Sequence, residues 1–288
     1  MDTSGTIADF GRALGPDVLA GVRALYDEEQ QALAAAHPAT ASDLAYGDHP
    51  RHRLDLYAPA NAEAVPIVVF VHGGGFLKGD KGGAAAWTNA NVGRMVAAAG
   101  MLGVVINYRL APDDVWPSGA EDVAAAVAWL KANAADHGGD PARIVLVGTS
   151  AGAVHVAGWL KLVGEAAARR DVRAAVLLSG LYGYTPLDAR DELYYGEVAL
   201  YPERMPLEAV AATALPLLVA CAEYDPPRFQ AEFTGLLQDR LDRHGALPAA
   251  LIQPGHNHYS MTMHLGTADR RLADAICAFV RDTTTGER

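Results

Sequence analysis

Cysteine is scarce in this chain of 288 residues, which contains only Cys221 and Cys277. Both lie in apolar surroundings, "LLVACAEYD" and "DAICAFV", so we expect two buried free thiols. Two such thiols exclude a small disulfide-stapled fold and are typical of a reducing compartment.

Long apolar runs are also absent, since no stretch reaches the ~18–20 residues of a membrane span. The first residues, "MDTSGTIADFGRALG", lack the basic start and apolar core of a secretory signal. We therefore expect a cytoplasmic protein with no membrane partner.

Positive charge is the minority charge. The chain has 23 Lys and Arg against 34 Asp and Glu, which gives a formal net charge of −11. This balance provides no basic surface for a phosphate backbone, so we expect no nucleic-acid partner. A chain of this length buries roughly three quarters of its unfolded surface, which is enough for one large α/β domain.

The chain does contain an alternation of short apolar runs and helical segments. Runs of Val, Ile and Leu without a polar alternation occur in "PIVVFVHGGG", "LGVVINYRLAP", "ARIVLVGTSAG", "RAAVLLSGLYG", "LPLLVACAEYD" and "PAALIQPGHNH". Helical stretches such as "SGAEDVAAAVAWLKANAADHG" lie between them. This repetition predicts an α/β fold with a mostly parallel sheet and helices on both faces. The alternating segment "HRLDLYAP" predicts an edge strand before these runs.

Two segments do not fit the alternation. Residues 1–45 are predicted to be helical, and residues 181–210 are too long for an ordinary connection between strands. We expect residues 1–45 to form a helical cap segment and residues 46–288 to form the α/β domain, with the insertion at 181–210 adding to the cap. Such folds bind ligands beyond the carboxyl ends of their strands, where a cap would lie.

The segment "GTSAG" (148–152) closes one of the apolar runs and matches the G-x-S-x-G pattern of a nucleophile elbow. In such an elbow a strand turns sharply into a helix and exposes the serine hydroxyl. Larger residues two positions before or after the serine would clash, which accounts for Gly148 and Gly152. We therefore expect Ser150 to be a catalytic nucleophile.

A serine nucleophile needs a base and an acid that orients the base. Glu223 and Asp225 in "AEYD" end one predicted strand, and His256 and His258 in "GHNHYS" follow the last one. The order serine, acid, histidine is that of a hydrolase.

Upstream, "HGGGF" (72–76) places three glycines after another strand. Their N–H groups and that of Ala151 predict a three-donor oxyanion hole.

Taken together, "HGGGF", "NYRLAP", "GGDPARIVLVGTSAG", "AEYDPP" and "GHNHYS" resemble the bacterial hormone-sensitive-lipase-like esterases of the α/β-hydrolase fold. The resemblance implies Asp225 as the catalytic acid and His258 as the base, in preference to their neighbours. It also implies Gly73, Gly74 and Ala151 as the oxyanion donors. The form of the last motif is also similar to a neighbouring branch near the feruloyl esterases and arylformamidases.

Other polar and aromatic residues have structural interpretations. We expect His155 to be a packing histidine and His72, Tyr108 and Arg109 to support the glycine loop. Asp122 is interpreted as a structural carboxylate early in a helix.

Residues near the predicted site are candidates for substrate contacts. Phe76 and Leu77, which follow the glycines, and Tyr182 and Tyr195, in or beside the insertion, are candidates to line the substrate pocket. The tyrosines have a second interpretation, as anchors of the cap. A zinc site at His-x-His is disfavoured, because no third ligand stands out and a metal would not explain the elbow.

We therefore predict a cofactor-free serine carboxylesterase for short- to medium-chain esters, with a small-molecule ester as its partner. The charged insertion, unlike the apolar lid of a lipase, favours such substrates. An arylformamidase or aryl esterase with the same triad, and a ligand-binding relative that has lost catalysis, are the alternatives. Members of the family often pair, so a homodimer is an expectation to which no surface is assigned.

Overall fold

The computed structural model describes residues 3–83 and 86–286. Eight strands of this described part form one sheet in the order β1-β2-β4-β3-β5-β6-β7-β8. The strands are β1 (Ala41–Ala45), β2 (Arg53–Tyr57), β3 (Val65–Val71), β4 (Leu102–Ile106), β5 (Gly139–Thr149), β6 (Ala174–Leu178), β7 (Leu217–Tyr224) and β8 (Ala249–Asn257). The helices are α1 (Ser4–Phe10), α2 (Pro16–Ala36), α3 (Ala90–Ala98), α4 (Ser118–Asn133), α5 (Ala151–Asp171), α6 (Ala189–Tyr195), α7 (Tyr201–Arg204), α8 (Leu207–Ala212), α9 (Pro227–His244), α10 (Ser260–Met263) and α11 (Arg271–Thr285).

The sheet is parallel from β4 through β3 to β8, and antiparallel only where β1, β2 and β4 pair. At its centre, Val71 of β3 pairs with Ile106 of β4 on one side and with Gly148 of β5 on the other. The carboxyl ends of the parallel strands therefore lie at one edge. The predicted mostly parallel sheet with flanking helices is confirmed.

Unbroken apolar strands produce two hydrophobic layers, one on each face of the sheet. On β5, Leu146 packs on the face covered by α4 and α5, whereas Val145 and Val147 pack on the face covered by α3 and α11. All three side chains are fully buried. Burial of each contributes about 1.5–3 kcal/mol. The central strands thus hold the strand ends, and the loops that follow them, in fixed relative positions.

The N-terminal part of the sheet differs from the prediction in two respects. Residues 41–45, predicted to be helical, form β1, and the helical segment ends at Ala36. The predicted edge strand β2 lies second from the edge, because β1 pairs with it on the outer side. Its Leu54, Leu56 and Tyr57 are therefore buried, and so is Asp55, whose carboxylate is 2.8 Å from the ammonium nitrogen of Lys81.

The N-terminal helices and the insertion both lie near the carboxyl ends of the strands. Ile7 of α1 and Val22 and Tyr26 of α2 form a small apolar cluster with Trp87 and Met263. The insertion folds into α6, α7 and α8, and its Tyr194, Tyr195 and Tyr201 pack in a separate cluster around Phe76. Among the residues with described coordinates, no helix has both the length and the apolar character required to cross a bilayer.

Candidate active site

Ser150 occupies the sharp turn between β5 and α5. Its φ of 52° and ψ of −122° lie in a region that residues with a side chain rarely adopt. A Cβ atom on Gly148 would lie 2.4 Å from the carbonyl oxygen of Gly152, and one on Gly152 would lie 2.0 Å from that of Val71. The predicted steric requirement for both glycines is therefore confirmed. The turn fixes Ser150 where the strand ends and the helix begins.

Three side chains from separate strand ends meet at this turn. The Oγ atom of Ser150 lies 3.0 Å from Nε2 of His258, and Nδ1 of His258 lies 2.7 Å from Oδ1 of Asp225. The Asp225 side chain is fully buried, and that of His258 is 9% exposed. With Nδ1–H donating to the carboxylate, Nε2 is left to accept the proton of the serine hydroxyl. The structure thus brings together the three residues that the resemblance selects.

Among the two carboxylates considered, only Asp225 faces the histidine. The Oε2 atom of Glu223 instead accepts from the N–H of Gly255 at 2.7 Å. The second oxygen of Asp225 accepts from the hydroxyl of Ser179 at 2.6 Å and from the N–H of Ala222 at 2.7 Å. The sequence motifs do not include Ser179. Its position directly after β6, at the same sheet edge, was the available signal.

Of the two candidate histidines, His256 forms hydrogen bonds outside the triad. Its Nδ1 lies 3.0 Å from the hydroxyl of Ser260, and its Nε2 lies 3.0 Å from a carboxylate oxygen of Asp269. Burial lowers the pKa of His256, so its ring stays neutral at pH 7. The sequence shows no third ligand for a His-x-His site, but the structure places His264 and Asp269 beside His256, with one potential ligand atom from each within 4.8 Å of the others. His258 is directed elsewhere, so the His-x-His pair does not act together.

The glycine loop after β3 lies directly against the serine turn. A Cβ atom on Gly73 would lie 3.2 Å from the Cβ of Ser150. Gly74 has a φ of +140°, and a Cβ there would lie 1.7 Å from the carbonyl oxygen of Lys78, so only glycine fits. Within the described residues, the N–H groups of Gly73, Gly74 and Ala151 donate to no acceptor of the chain. Three N–H groups beside a serine are a suitable site for an oxyanion.

Aromatic and charged residues behind the glycine loop hold it in place. The Nδ1 of His72 faces the carbonyl oxygen of the next residue at 2.7 Å, and the hydroxyl of Tyr108 donates to the carbonyl of His72 at 3.0 Å. The ring of His155 packs edge-on against Tyr108. Burial lowers the pKa of His72 to about 4 and that of His155 to about 3, so both are neutral. Asp122 accepts from the backbone N–H of Arg109 at 2.6 Å and from its guanidinium at 2.8 Å. These contacts agree with the predicted structural roles.

A cavity of about 190 Å³ opens onto Ser150. Its lining residues are Leu14, Gly75, Phe76, Ser150, Ala151, Leu181, Asp188, Arg190, Asp191, Pro226, Arg228 and Phe229. Of the predicted pocket residues, Phe76 lines the cavity, and Leu77 packs in the cluster behind it. The N-terminal segment contributes Leu14, the insertion contributes Asp188, Arg190 and Asp191, and α9 contributes Arg228.

The two tyrosines predicted as pocket residues do not line this cavity. Tyr182 is fully buried in the core on the α4–α5 face of the sheet. The ring of Tyr195 meets that of Phe76 edge-on, with 5.9 Å between ring centroids, and packs behind the cavity wall. Tyr182 follows β6 and Tyr195 ends α6, and both side chains are buried, so the packing favours their interpretation as anchors.

Glu232 is a second residue that sequence analysis missed. This fully buried glutamate of α9 accepts hydrogen bonds from the backbone N–H groups of residues 182–185 and from the hydroxyl of Thr185. The distances to the four nitrogens range from 2.6 to 3.3 Å. A single carboxylate thus anchors the start of the insertion.

Comparisons with known proteins find similarity to esterases. The family model described as BD-FAE matches residues 54–174. The chain is 29% identical to the esterase LipQ of Mycobacterium tuberculosis over 272 residues, which is 85% of this chain and 62% of that protein. It is 44% identical over 115 residues to a probable isoprenylcysteine alpha-carbonyl methylesterase, ICMEL1, of Oryza sativa subsp. japonica, which is 40% of this chain and 26% of that protein. The chain therefore spans less than two thirds of either relative.

Solved structures show the same fold. An esterase of Pyrobaculum calidifontis superposes with a TM-score of 0.70 at 25% identity, covering 96% of each chain. The thermostable carboxylesterase EstE1 from a metagenomic library superposes with a TM-score of 0.70 at 23% identity, covering 93% of this chain and 98% of that one.

An elbow serine after a central parallel strand, with an acid and a histidine after the last two strands, defines an α/β-hydrolase. The predicted resemblance to the hormone-sensitive-lipase-like bacterial esterases is confirmed as well, because two similar proteins of Mycobacterium tuberculosis are named an esterase, LipQ, and a probable carboxylic ester hydrolase, LipM.

Proposed function

We propose that this protein is a serine carboxylesterase that hydrolyses esters of short acyl chains through a covalent acyl-enzyme. The observation that carries the proposal is the continuous hydrogen-bonded line from Ser150 to His258 to Asp225, with spacings of 3.0 and 2.7 Å, at the cavity. The names of the relatives support ester hydrolysis as the reaction class.

The reaction begins when Nε2 of His258 takes the proton of Ser150 as Oγ attacks the ester carbonyl. Asp225 holds the imidazole in the required tautomer and stabilises its charged form. The carbonyl oxygen becomes an oxyanion, which the N–H groups of Gly73, Gly74 and Ala151 receive. The alcohol leaves with the proton from His258. Water then repeats the sequence on the acyl-enzyme and releases the acid.

The size of the cavity supports short substrates. About 190 Å³ holds roughly six water molecules at about 30 Å³ each. A methylene group is of similar volume, so a short acyl chain and a small alcohol fill this space, and a long fatty chain exceeds it. The apolar side chains of the cavity wall, Leu14, Leu181 and Phe229, suit a short acyl chain.

The test is a chain-length series of 4-nitrophenyl esters, with an aryl formamide measured alongside. We expect kcat/KM to be highest for acetate to butyrate and to exceed that for the formamide. Ser150→Ala is expected to lower kcat by about 10⁶. A variant that keeps more than a few per cent of the activity would contradict the assignment. A higher kcat/KM for the formamide would replace the esterase by an amidase with the same triad.

The choice of acid has a matched control. Asp225→Asn is expected to lower kcat by roughly 10⁴, because the amide holds the wrong imidazole tautomer. Glu223→Gln, two residues away and directed at a backbone N–H, should lower it by less than tenfold. Equal losses in both variants would overturn the assignment of Asp225.

A further inference from the structure

The wall of the cavity carries an arginine directly beside the glycine loop. Arg190 is the second residue of α6, and its side chain crosses the backbone of Gly75. A Cβ atom on Gly75 would lie 2.8 Å from Cδ and 3.3 Å from Nη1 of Arg190. The glycine, at a φ of +59°, therefore leaves the space that the arginine occupies. Arg190 lines the same cavity as Ser150.

The other charged side chains of this wall, one arginine and two aspartates, are paired with one another. Arg228 contacts Asp188 at 2.6 Å and Asp191 at 2.5 Å. The second oxygen of Asp188 accepts from the backbone N–H groups of Arg190 and Asp191. Both carboxylates thus have their partners without the guanidinium of Arg190. Within residues 3–83 and 86–286, that guanidinium has no carboxylate or carbonyl acceptor, so its donors are open to a bound ligand.

We propose that Arg190 makes this site select esters that carry an anionic group close to the scissile bond, such as half esters of dicarboxylic acids; this inference rests on the proposed function. A guanidinium binds a carboxylate through two parallel hydrogen bonds. The apolar part of the wall, with Leu181 and Phe229, offers an anion no partner, and the two aspartates repel it. A bound anionic group is therefore directed to Arg190, which fixes the orientation of the ester relative to Ser150.

The anionic group can belong to the acyl or to the alcohol part of the ester, and two pairs of substrates separate these cases. The acyl pair is mono-4-nitrophenyl glutarate and 4-nitrophenyl butyrate. The alcohol pair is 4-butyryloxybenzoate and its methyl ester. For each pair, the ratio of kcat/KM for the anionic ester to that for the neutral ester is measured, after subtraction of spontaneous hydrolysis. One pair is expected to show a ratio that depends on Arg190, and that pair identifies the side.

Two substitutions change the side chain of Arg190, and a third removes a positive charge elsewhere on the protein as a control. In Arg190→Gln the anionic-to-neutral ratio should fall about 5- to 10-fold, which is about 1–1.4 kcal/mol. Arg190→Lys should retain part of the ratio, because it keeps the charge but not the planar fork. Arg169→Gln, which changes the net charge equally on the exposed side of α5, should leave the ratio unchanged.

Ionic strength provides a second measurement of the same interaction. Because Arg190 is exposed, raising NaCl from 20 to 500 mM should lower the ratio for the wild-type enzyme, and this salt dependence should be weaker in Arg190→Gln. Ratios that are the same in wild type and Arg190→Gln for both substrate pairs would overturn the inference. Absence of hydrolysis of every ester by the wild type would instead overturn the proposed function.

Discussion

Glu232 anchors the insertion through five hydrogen bonds, so its replacement by glutamine is a sharp test of how the cavity wall is held. The variant keeps the shape of the side chain and exchanges one acceptor oxygen for an NH₂ group. The Oε2 side faces three backbone N–H groups, and the Oε1 side faces the N–H and the hydroxyl of Thr185. The hydroxyl can turn to accept, so the amide nitrogen is expected on the Oε1 side, where one N–H still loses its acceptor.

The magnitude follows from these contacts. An unsatisfied buried donor costs about 1–3 kcal/mol, and the remaining hydrogen bonds lose the added strength of a charged acceptor. Burying a neutral amide instead of a charge offsets part of this loss. We expect Glu232→Gln to lower the free energy of unfolding by about 3 kcal/mol, which corresponds to a fall in Tm of about 5 °C for a chain of 288 residues.

The assay is thermal unfolding followed by circular dichroism, together with hydrogen exchange of the amides of residues 182–185. Those amides should exchange faster in Glu232→Gln than in the wild type. Glu63→Gln, an exposed glutamate changed in the same way, should leave Tm within about 1–2 °C. An unchanged Tm with unchanged exchange at 182–185 would refute the argument that this carboxylate holds the insertion.

Three further expectations concern the triad and the buried histidines. Ser179→Ala should lower kcat/KM about 10- to 100-fold, because it removes one hydrogen bond to the triad carboxylate, and unchanged kinetics would contradict that role. His258→Ala should lower kcat by about 10⁶ and His256→Ala by less than tenfold in the same ester assay, and the reverse order would overturn the choice of base. Tm should fall as the pH decreases from 7 toward 4, because His72 and His155 titrate near 6.5 when unfolded but have pKa values of about 4 and about 3 when folded. Below about pH 6.5 the unfolded chain binds more protons than the folded chain, so the stability that these two histidines contribute is full above about pH 6.5 and is lost below it. A Tm that does not depend on pH in this range would contradict the neutral, buried state of both rings.

The site was predictable from sequence at positions where the backbone geometry allows only one type of residue. Only glycine fits at 148 and 152 around an elbow serine, and only glycine fits at 74, so these positions leave a clear pattern in the sequence. The apolar strands were equally clear, because strands covered on both faces need unbroken Val, Ile and Leu.

The parts that were not predictable depend on contacts between distant segments. The strand β1, "ASDLA", has few residues with strand propensity and exists because β2 pairs with it. Ser179 meets its carboxylate partner across 46 positions of sequence, and its place after β6 alone does not identify that partner. Tyr182 turns toward the core because of the path of the chain after β6, which a periodicity argument does not reach.

The central claim, that Ser150 is an activated nucleophile, is tested most directly by its covalent chemistry. A fluorophosphonate probe is added to the wild type, and the adduct is located by mass spectrometry of peptides. We expect one adduct per chain, on Ser150, that is absent in Ser150→Ala and forms far more slowly in His258→Ala. An adduct on another residue, or a wild-type protein that stays unlabelled while folded, would contradict the account.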